Sequence, residues 1–220
     1  MKNFYSNIYS FNLRILKKTV KYLSQGNLVA IPTETVYGLA GNAYSKKAVK
    51  NIFKLKKRPK KNPLIIHYHN ISDAQKDVIF NKNFFLLYKK FCPGPLTFIL
   101  KKSKNSKITP FATSNLKTVA IRFPKNRILR SVLKLIKFPL AMPSANLSSG
   151  LSPVNALDVF EEFEKKIDII IDGGNAKIGI ESTVVDLTDK PKILRPGIIT
   201  KSKLNRFFKI GLSNNKSKIK

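Results

Sequence analysis

Residues 54–68 read KLKKRPKKNPLIIHY, with six cations among residues 54–61, two prolines, and then an apolar run. Upstream, Ser45 can cap a helix whose apolar positions Val49, Ile52, Phe53 and Leu55 recur at helical spacing. Arg58-Pro59 should stop that helix, because proline pushes the residue before it out of the helical region. Downstream, Pro63 leads into LIIHY, a short apolar run with the look of a buried strand. The stretch is therefore a helix end running through a charged loop into a strand.

Toward the N-terminus, Asn12 can cap a helix carrying Leu13, Leu16, Val20 and Leu23, with Gly26 placed to end it. The strand LVAI (28–31) follows, then the loop PTETVYGLAG (32–41). Toward the C-terminus come a helical segment from about Ser72, another through FFLLYKKF (84–91), the turn CPGP (92–95) and the strand LTFIL (96–100). TVAIRF (118–123) alternates as a half-buried strand should, IDIII (167–171) reads as fully buried, and STVVDL (182–187) and KILR (192–195) are further strands. Helices fit 126–136, 155–165 and 200–208. Strands and helices interleave without strict alternation, which predicts an α/β domain on a mixed, twisted sheet.

With 220 residues, 43% of them hydrophobic, the chain can build one sizeable core. No apolar run approaches the roughly 18 residues of a membrane span, and MKNFYSNIYS has no apolar signal core, so a cytoplasmic protein without membrane contact is expected. Cys92, His67 and His69 are the only residues of their types; they allow neither an internal disulfide nor a Cys/His zinc site, which leaves only hard, oxygen-bound metal chemistry. The formal charge of +30 invites a nucleic-acid reading. Yet the charge runs from Lys2 to Lys220 rather than along one stripe, and Lys, Asn and Ile dominate as an AT-rich genome would favour. Against that lysine background the seven arginines are the informative cations, since a planar guanidinium suits carboxylates and phosphates. Arg58, Arg122 and Arg195 are the ones to follow. Glu34 is the only carboxylate before Asp73, so paired-carboxylate machinery cannot come from the first third of the chain.

Four loops carry polar residues that a core would not need. PTETVYGL (32–39) offers Thr33, Glu34, Thr35 and Tyr37, with Gly38 permitting close backbone approach. The opening stretch places Asn62 between constrained residues. MPSANLSSGLSP (142–153) can aim Ser144 and Asn146 at a ligand while its N–H groups form an anion nest. GIESTVVDLTDKPKILRPG (179–197) sets Ser182 before one strand and Arg195 after another, so that both can face one cleft. There is no GxxxxGK[ST] loop and no GxGxxG fingerprint, and DGGN (172–175) is a turn signal first.

Taken in order, these loops closely resemble the YrdC-like family of threonylcarbamoyl-AMP synthases over about residues 10–200. The likeness lies in PTETVYGL, the K-x-R-P-x-x-N-P-L-I-x-H pattern from Lys56 to His67, TVAIRFP, PSAN, and ESTVVDLT followed by LRPG. It implies a single YrdC-like catalytic domain at 10–208, an open twisted mixed sheet with a basic concave face, and a basic disordered tail at 209–220. It also implies a short form without the second C-terminal domain of longer relatives. The implied activity joins L-threonine, bicarbonate and ATP into threonylcarbamoyl-AMP and pyrophosphate for the modification of adenosine in tRNA, with downstream transfer proteins as partners and possible RNA contact. The tetrad of the family falls on Lys56, Arg58, Ser144 and Asn146. ATP would be held by Arg58, Asn62, Thr118, Ser144, Ser152 and Arg195, and would carry Mg²⁺ with it rather than to a protein-held metal site. Threonine would be held by Thr33, Tyr37, His67, Arg122 and Ser182, with a backbone contact near Met142. Relatives often have glycine where this chain has Lys57, and alanine where it has Met142. The alternatives are a binding module for double-stranded RNA or tRNA, and the carbamoyl-transfer domain of a hydrogenase-maturation protein, which lacks support from zinc-finger cysteines.

Overall fold

The computed structural model describes residues 6–212. In chain order these form β1 (Ile8–Ser10), α1 (Leu13–Ser24), β2 (Val29–Ile31), β3 (Gly38–Asn42), α2 (Lys46–Leu55), β4 (Ile65–His67), α3 (Ile71–Ala74), β5 (Val78–Ile79), α4 (Lys82–Phe91) and β6 (Leu96–Lys102). They continue through β7 (Thr118–Arg122), α5 (Arg127–Leu135), β8 (Leu140–Ala141), α6 (Ala156–Phe163), β9 (Ile170–Asp172), β10 (Thr183–Asp186), β11 (Lys192–Arg195), α7 (Lys201–Asn205) and β12 (Gly211–Leu212). The asparagine-rich composition has a structural use here. Among the described residues, all seven α-helices start at a side chain that accepts a hydrogen bond from the first turn: Asn12, Ser45, Asn70, Asn81, Asn126, Asn155 and Thr200.

The strands join in the order β1-β9-β2-β3-β8-β4-β7-β6-β10-β11-β12, with β5 paired on β6. The pairing is mixed: β4 runs parallel to β7 and β10 parallel to β6, while β8 runs antiparallel to β4. Both faces are covered. Val29 and Ile31 of β2 enter a cluster with Leu16 and Leu23 of α1 and Leu129 and Val132 of α5, whereas Ala30 enters the larger cluster with Ile52 of α2 and Phe160 of α6. A strand buried on both sides needs the unbroken apolar run that LVAI supplies. The pair β4 and β7 positions the candidate site, because their parallel register sets His67 beside Arg122 at the carboxyl ends of two adjacent strands.

Several expectations change. The predicted loop 32–41 ends in a strand, since β3 pairs antiparallel with β2 through Val29↔Ala40. β7 is buried from Val119 to Arg122 rather than half-buried, because Ala120 is covered on its second face by Ile99 and Val184. The helix expected from Ser72 is a single turn, and the one at 200–208 ends at Asn205. The tail expected from 209 begins with residues that pack: Ile210 is buried and Gly211–Leu212 pairs with β11. Residues 213–220 lie outside the described residues.

The opening stretch also closes earlier than Arg58-Pro59. The Arg58 N–H reaches the Phe53 carbonyl at 2.9 Å and the Lys57 N–H reaches that of Lys54 at 3.2 Å, with Lys57 in the left-handed region at φ 49°. This is a Schellman closure, whose left-handed residue is usually glycine. A lysine there bears a steric cost on the order of 1 kcal/mol. Lys57→Gly should therefore raise the unfolding free energy by up to about 1 kcal/mol, the flexibility of glycine in the unfolded chain offsetting part of the gain. Urea unfolding would check this, and a loss of stability would contradict it.

Candidate active site

The four loops singled out by sequence converge on two adjoining cavities, the first at the carboxyl ends of β4 and β7. The first has an empty volume of about 520 Å³, and its walls include all six residues implied for threonine: Thr33, Tyr37, His67, Arg122, Met142 and Ser182. The second, of about 850 Å³, is walled by Lys56, Arg58, Ser144, Asn146, Ser152 and Arg195, together with Glu181 and the 148–150 turn. Arg58, Ser144, Glu181 and Arg195 face both. Asn62 and Thr118, implied for ATP, line neither cavity.

Arg122 anchors the first cavity. Its Nη2 donates to Glu34 Oε1 at 2.7 Å, its Nη1 to Thr35 Oγ1 at 2.9 Å, and its Nε to the Gly94 carbonyl at 3.4 Å. The other carboxylate oxygen of Glu34 accepts from the N–H groups of Lys125 and Asn126 at 3.0 and 3.1 Å, tying the chain after β7 to the loop after β2. Burial pushes the Glu34 carboxyl up, but the Arg122 charge and these hydrogen bonds together outweigh it and hold the pKa below its ordinary value. One N–H on each terminal nitrogen of Arg122 is left by these bonds for a ligand. Beside it, His67 is buried, and desolvation followed by the Arg122 charge pushes its pKa down to about 3, so the imidazole is neutral. Its Nδ1 has no partner, and an orphaned buried nitrogen on a cavity wall is a place for a ligand hydrogen bond.

Two of the implied threonine ligands have their hydroxyls engaged elsewhere. Thr33 Oγ1 donates to the Val36 carbonyl at 2.7 Å and accepts from the N–H of Thr35 and Val36, which folds the turn that presents Thr35 to Arg122. The Tyr37 hydroxyl donates to the Gly174 carbonyl at 2.8 Å and accepts from the Gly173 N–H, so the DGGN turn is braced from inside the core. Met142 fills space that Gly38 leaves: a Cβ at position 38 would lie 2.7 Å from its Cγ.

In the second cavity Lys56 is not a free cation. Its Nζ donates to the Ser144 carbonyl at 2.6 Å, to the Asn146 carbonyl, and to Asn146 Oδ1 at 3.4 Å, while Asn146 Nδ2 closes on the carbonyls of Leu147 and Gly150. Burial, then the Arg58 charge, push the Lys56 pKa down to about 7. Arg58 is likewise partly engaged. Its Nε and Nη2 donate to the carbonyls of Asn62 and Pro63 at 3.0 and 3.1 Å, wrapping the RPKKN loop around its own guanidinium. Asn62 thus enters through its backbone. Arg195 donates through Nε to the Ser182 carbonyl, through Nη2 to Ser182 Oγ at 3.0 Å, and through Nη1 in an ion pair with Glu181. The expectation that a hydroxyl and an arginine on either side of a hairpin share a cleft describes Ser182 and Arg195.

The acids were given no role by sequence reasoning: Glu34 was named as a loop residue and the lone carboxylate of its region, and Glu181, beside Ser182, was not singled out. A third, Glu162, holds the 144–150 loop by accepting from the Leu147 N–H at 2.7 Å.

The Sua5/YciO/YrdC family model, described as telomere recombination, matches residues 21–197. The chain belongs to this family. A member from Pyrococcus abyssi named threonylcarbamoyl-AMP synthase is 46% identical over 80% of this chain and 52% of its own length, and one of the same name from Bacillus subtilis is 43% identical over 83% and 53%. The chain thus spans about half the length of these curated relatives. Among solved structures, P. abyssi Sua5 complexed with L-threonine superposes with a TM-score of 0.90 at 39% identity, covering 94% of this chain and 62% of that one. The mixed α/β sheet of this chain is the Sua5/YciO/YrdC fold. Among the described residues, no helix is long and apolar enough to cross a membrane.

Proposed function

We infer that this chain is a threonylcarbamoyl-AMP synthase of the cytoplasm, joining L-threonine, bicarbonate and ATP and releasing pyrophosphate, with partner proteins passing the group to adenosine in tRNA. Family membership, the names of the relatives and the L-threonine in the P. abyssi Sua5 complex support the reading. The observation that carries it is the wall of Arg58, Ser144, Glu181 and Arg195 that faces both cavities. An amino acid in the first cavity and a triphosphate in the second would meet across it.

In the first cavity the two remaining N–H groups of Arg122 suit a carboxylate, and neutral His67 offers a hydrogen bond without charge. The threonine amine adds to bicarbonate-derived carbon dioxide and loses a proton, giving a carbamate. A carbamate oxygen then attacks the α-phosphorus in line, and pyrophosphate leaves. Such a displacement asks for positioning and charge neutralisation more than for a strong base. Arg58 and Arg195 would supply the charge, and Lys56 would hold the 144–146 backbone in place. Among the described residues, no group of three or more His, Cys, Asp and Glu side chains is placed to hold a metal ion, and Glu181 is the one carboxylate lining the cavities. That donor set fits Mg²⁺ carried in by the triphosphate, where it would supply charge neutralisation.

The test is pyrophosphate release with ATP and bicarbonate, comparing L-threonine with L-serine, with threonylcarbamoyl-AMP identified by mass. Release is expected only with an amino acid. Threonine should be favoured by about 10-fold or somewhat more, the worth of one buried methyl against Met142. Release without an amino acid would point to a different enzyme, and salt-sensitive RNA binding with no release would point to a binding module.

A further inference from the structure

Arg195 and Ser152, both implied for ATP and both lining the second cavity, share a partner. Glu181 takes Arg195 Nη1 on Oε2 and Ser152 Oγ on Oε1, the latter at 3.4 Å. The same carboxylate faces Arg58, and its negative charge counters the burial that lowers the Arg58, Arg195 and Lys56 pKa values. It is a part-exposed side chain on a cavity wall, not a core ion pair, and it retains 28% of its side-chain exposure. A carboxylate held by one terminal N–H of an arginine and by a serine hydroxyl, with a second arginine nearby, offers donors of the kind that a phosphate oxygen would use.

We propose that Glu181 stands in for a substrate phosphate in the free protein, and that the polyphosphate of the nucleotide must displace it from Arg195 and Ser152 to bind. The inference rests on the function proposed above. Glu181 is then an internal competitor with two consequences. It spares Arg195 an unpaired charge while the site is empty, and it sets a threshold that favours multiply charged phosphates over weaker anions. It also eases the exit of pyrophosphate, because the carboxylate returns as the product leaves.

Glu181→Gln keeps the length and one acceptor of the side chain but removes the charge. Isothermal titration with pyrophosphate and, separately, with the non-hydrolysable ATP analogue AMP-PNP should show about tenfold tighter binding to the variant, the worth of one charge-assisted contact no longer displaced. Without ligand the variant should melt lower than the wild type, and saturating pyrophosphate should raise its melting temperature by more. A residue that merely braces the wall would give equal or weaker pyrophosphate binding, and that result overturns the proposal. If neither protein binds pyrophosphate or the nucleotide, the functional reading and this inference fail together. If both bind equally, only the inference fails. Glu181→Asp, which retains the charge at shorter reach, keeps the test open should the glutamine variant not fold: it should bind pyrophosphate with intermediate affinity, and affinity no higher than wild type would count against the displacement.

Discussion

Glu34→Ala should lower the unfolding free energy by about 3–5 kcal/mol, the cost of leaving one member of a buried ion pair without its partner. The reason lies in the groups left behind. Arg122 is 4% exposed at the end of a central strand and cannot follow its charge into solvent. Two backbone N–H groups, those of Lys125 and Asn126, lose their acceptor at the same time. For a chain of this size the loss corresponds to a fall in melting temperature on the order of 10 °C. The lowered native pKa fixes the pH window. The contribution of Glu34 is present in full above the ordinary carboxylate value of 4.5 and is lost as pH falls through the native value below it. Urea unfolding at pH 7 and at pH 3 separates these effects: the gap between wild type and variant should be wide at pH 7 and should narrow in acid. A gap under about 1 kcal/mol at neutral pH would mean that Arg122 finds another partner. Under the proposed function the variant should also bind threonine more weakly, because the two free N–H groups of Arg122 are aimed by the bonds that Glu34 and Thr35 hold.

The contrast between Glu34 and Arg122 shows where sequence reading reached and where it stopped. Arg122 stood out because arginine is rare in a lysine-rich chain, and it does line the first cavity. Glu34 was equally rare for its region, yet nothing in the sequence says that residue 34 meets residue 122; β7 and the loop after β2 are brought together by tertiary packing alone. Local signals served well. Asn12 and Ser45 cap the helices they were expected to cap, and LVAI and LTFIL are strands, because caps and apolar runs are decided within a few residues. The strand Gly38–Asn42 was not legible, since its glycines and small residues carry little β preference and its place is fixed by pairing with β2 and by Met142 lying over Gly38. The burial of β7 was hidden for a similar reason, as alternation in TVAIRF hides a small second cluster on its other face. At the site, composition could mark Arg58, Arg122 and Arg195 as special, but it could not show that Lys56 and Arg58 would have much of their hydrogen bonding turned onto the protein's own carbonyls.

Under the proposed function, Lys56→Met should reduce kcat/KM for threonylcarbamoyl-AMP formation by about 10²-fold, the loss that follows when a residue holding the reacting groups in register is removed and they shift by about 1 Å. Three acceptors converge on Nζ, the Ser144 and Asn146 carbonyls and Asn146 Oδ1, and three donors are what an ammonium offers and a neutral amine lacks. Methionine preserves the apolar stem and releases the 144–146 backbone, so Ser144 leaves the wall shared by the two cavities. The effect on stability has two opposing parts. Orphaning the Ser144 and Asn146 carbonyls costs about 1–3 kcal/mol, whereas deleting a buried cation removes a desolvation penalty. The pH dependence tells them apart. Burial lowers the native pKa from 10.5 to about 7, so between those values the unfolded chain binds a proton that the folded chain does not, and wild-type stability should rise with pH across that window. In Lys56→Met that rise disappears. The variant should therefore compare best with wild type at pH 6 and progressively worse toward pH 9, as measured by urea unfolding at both. Parallel pH curves would show that Lys56 keeps its proton throughout, with the three acceptors outweighing burial, and the loss of activity would then belong to the displaced loop and a permanent charge rather than to a group near its titration point.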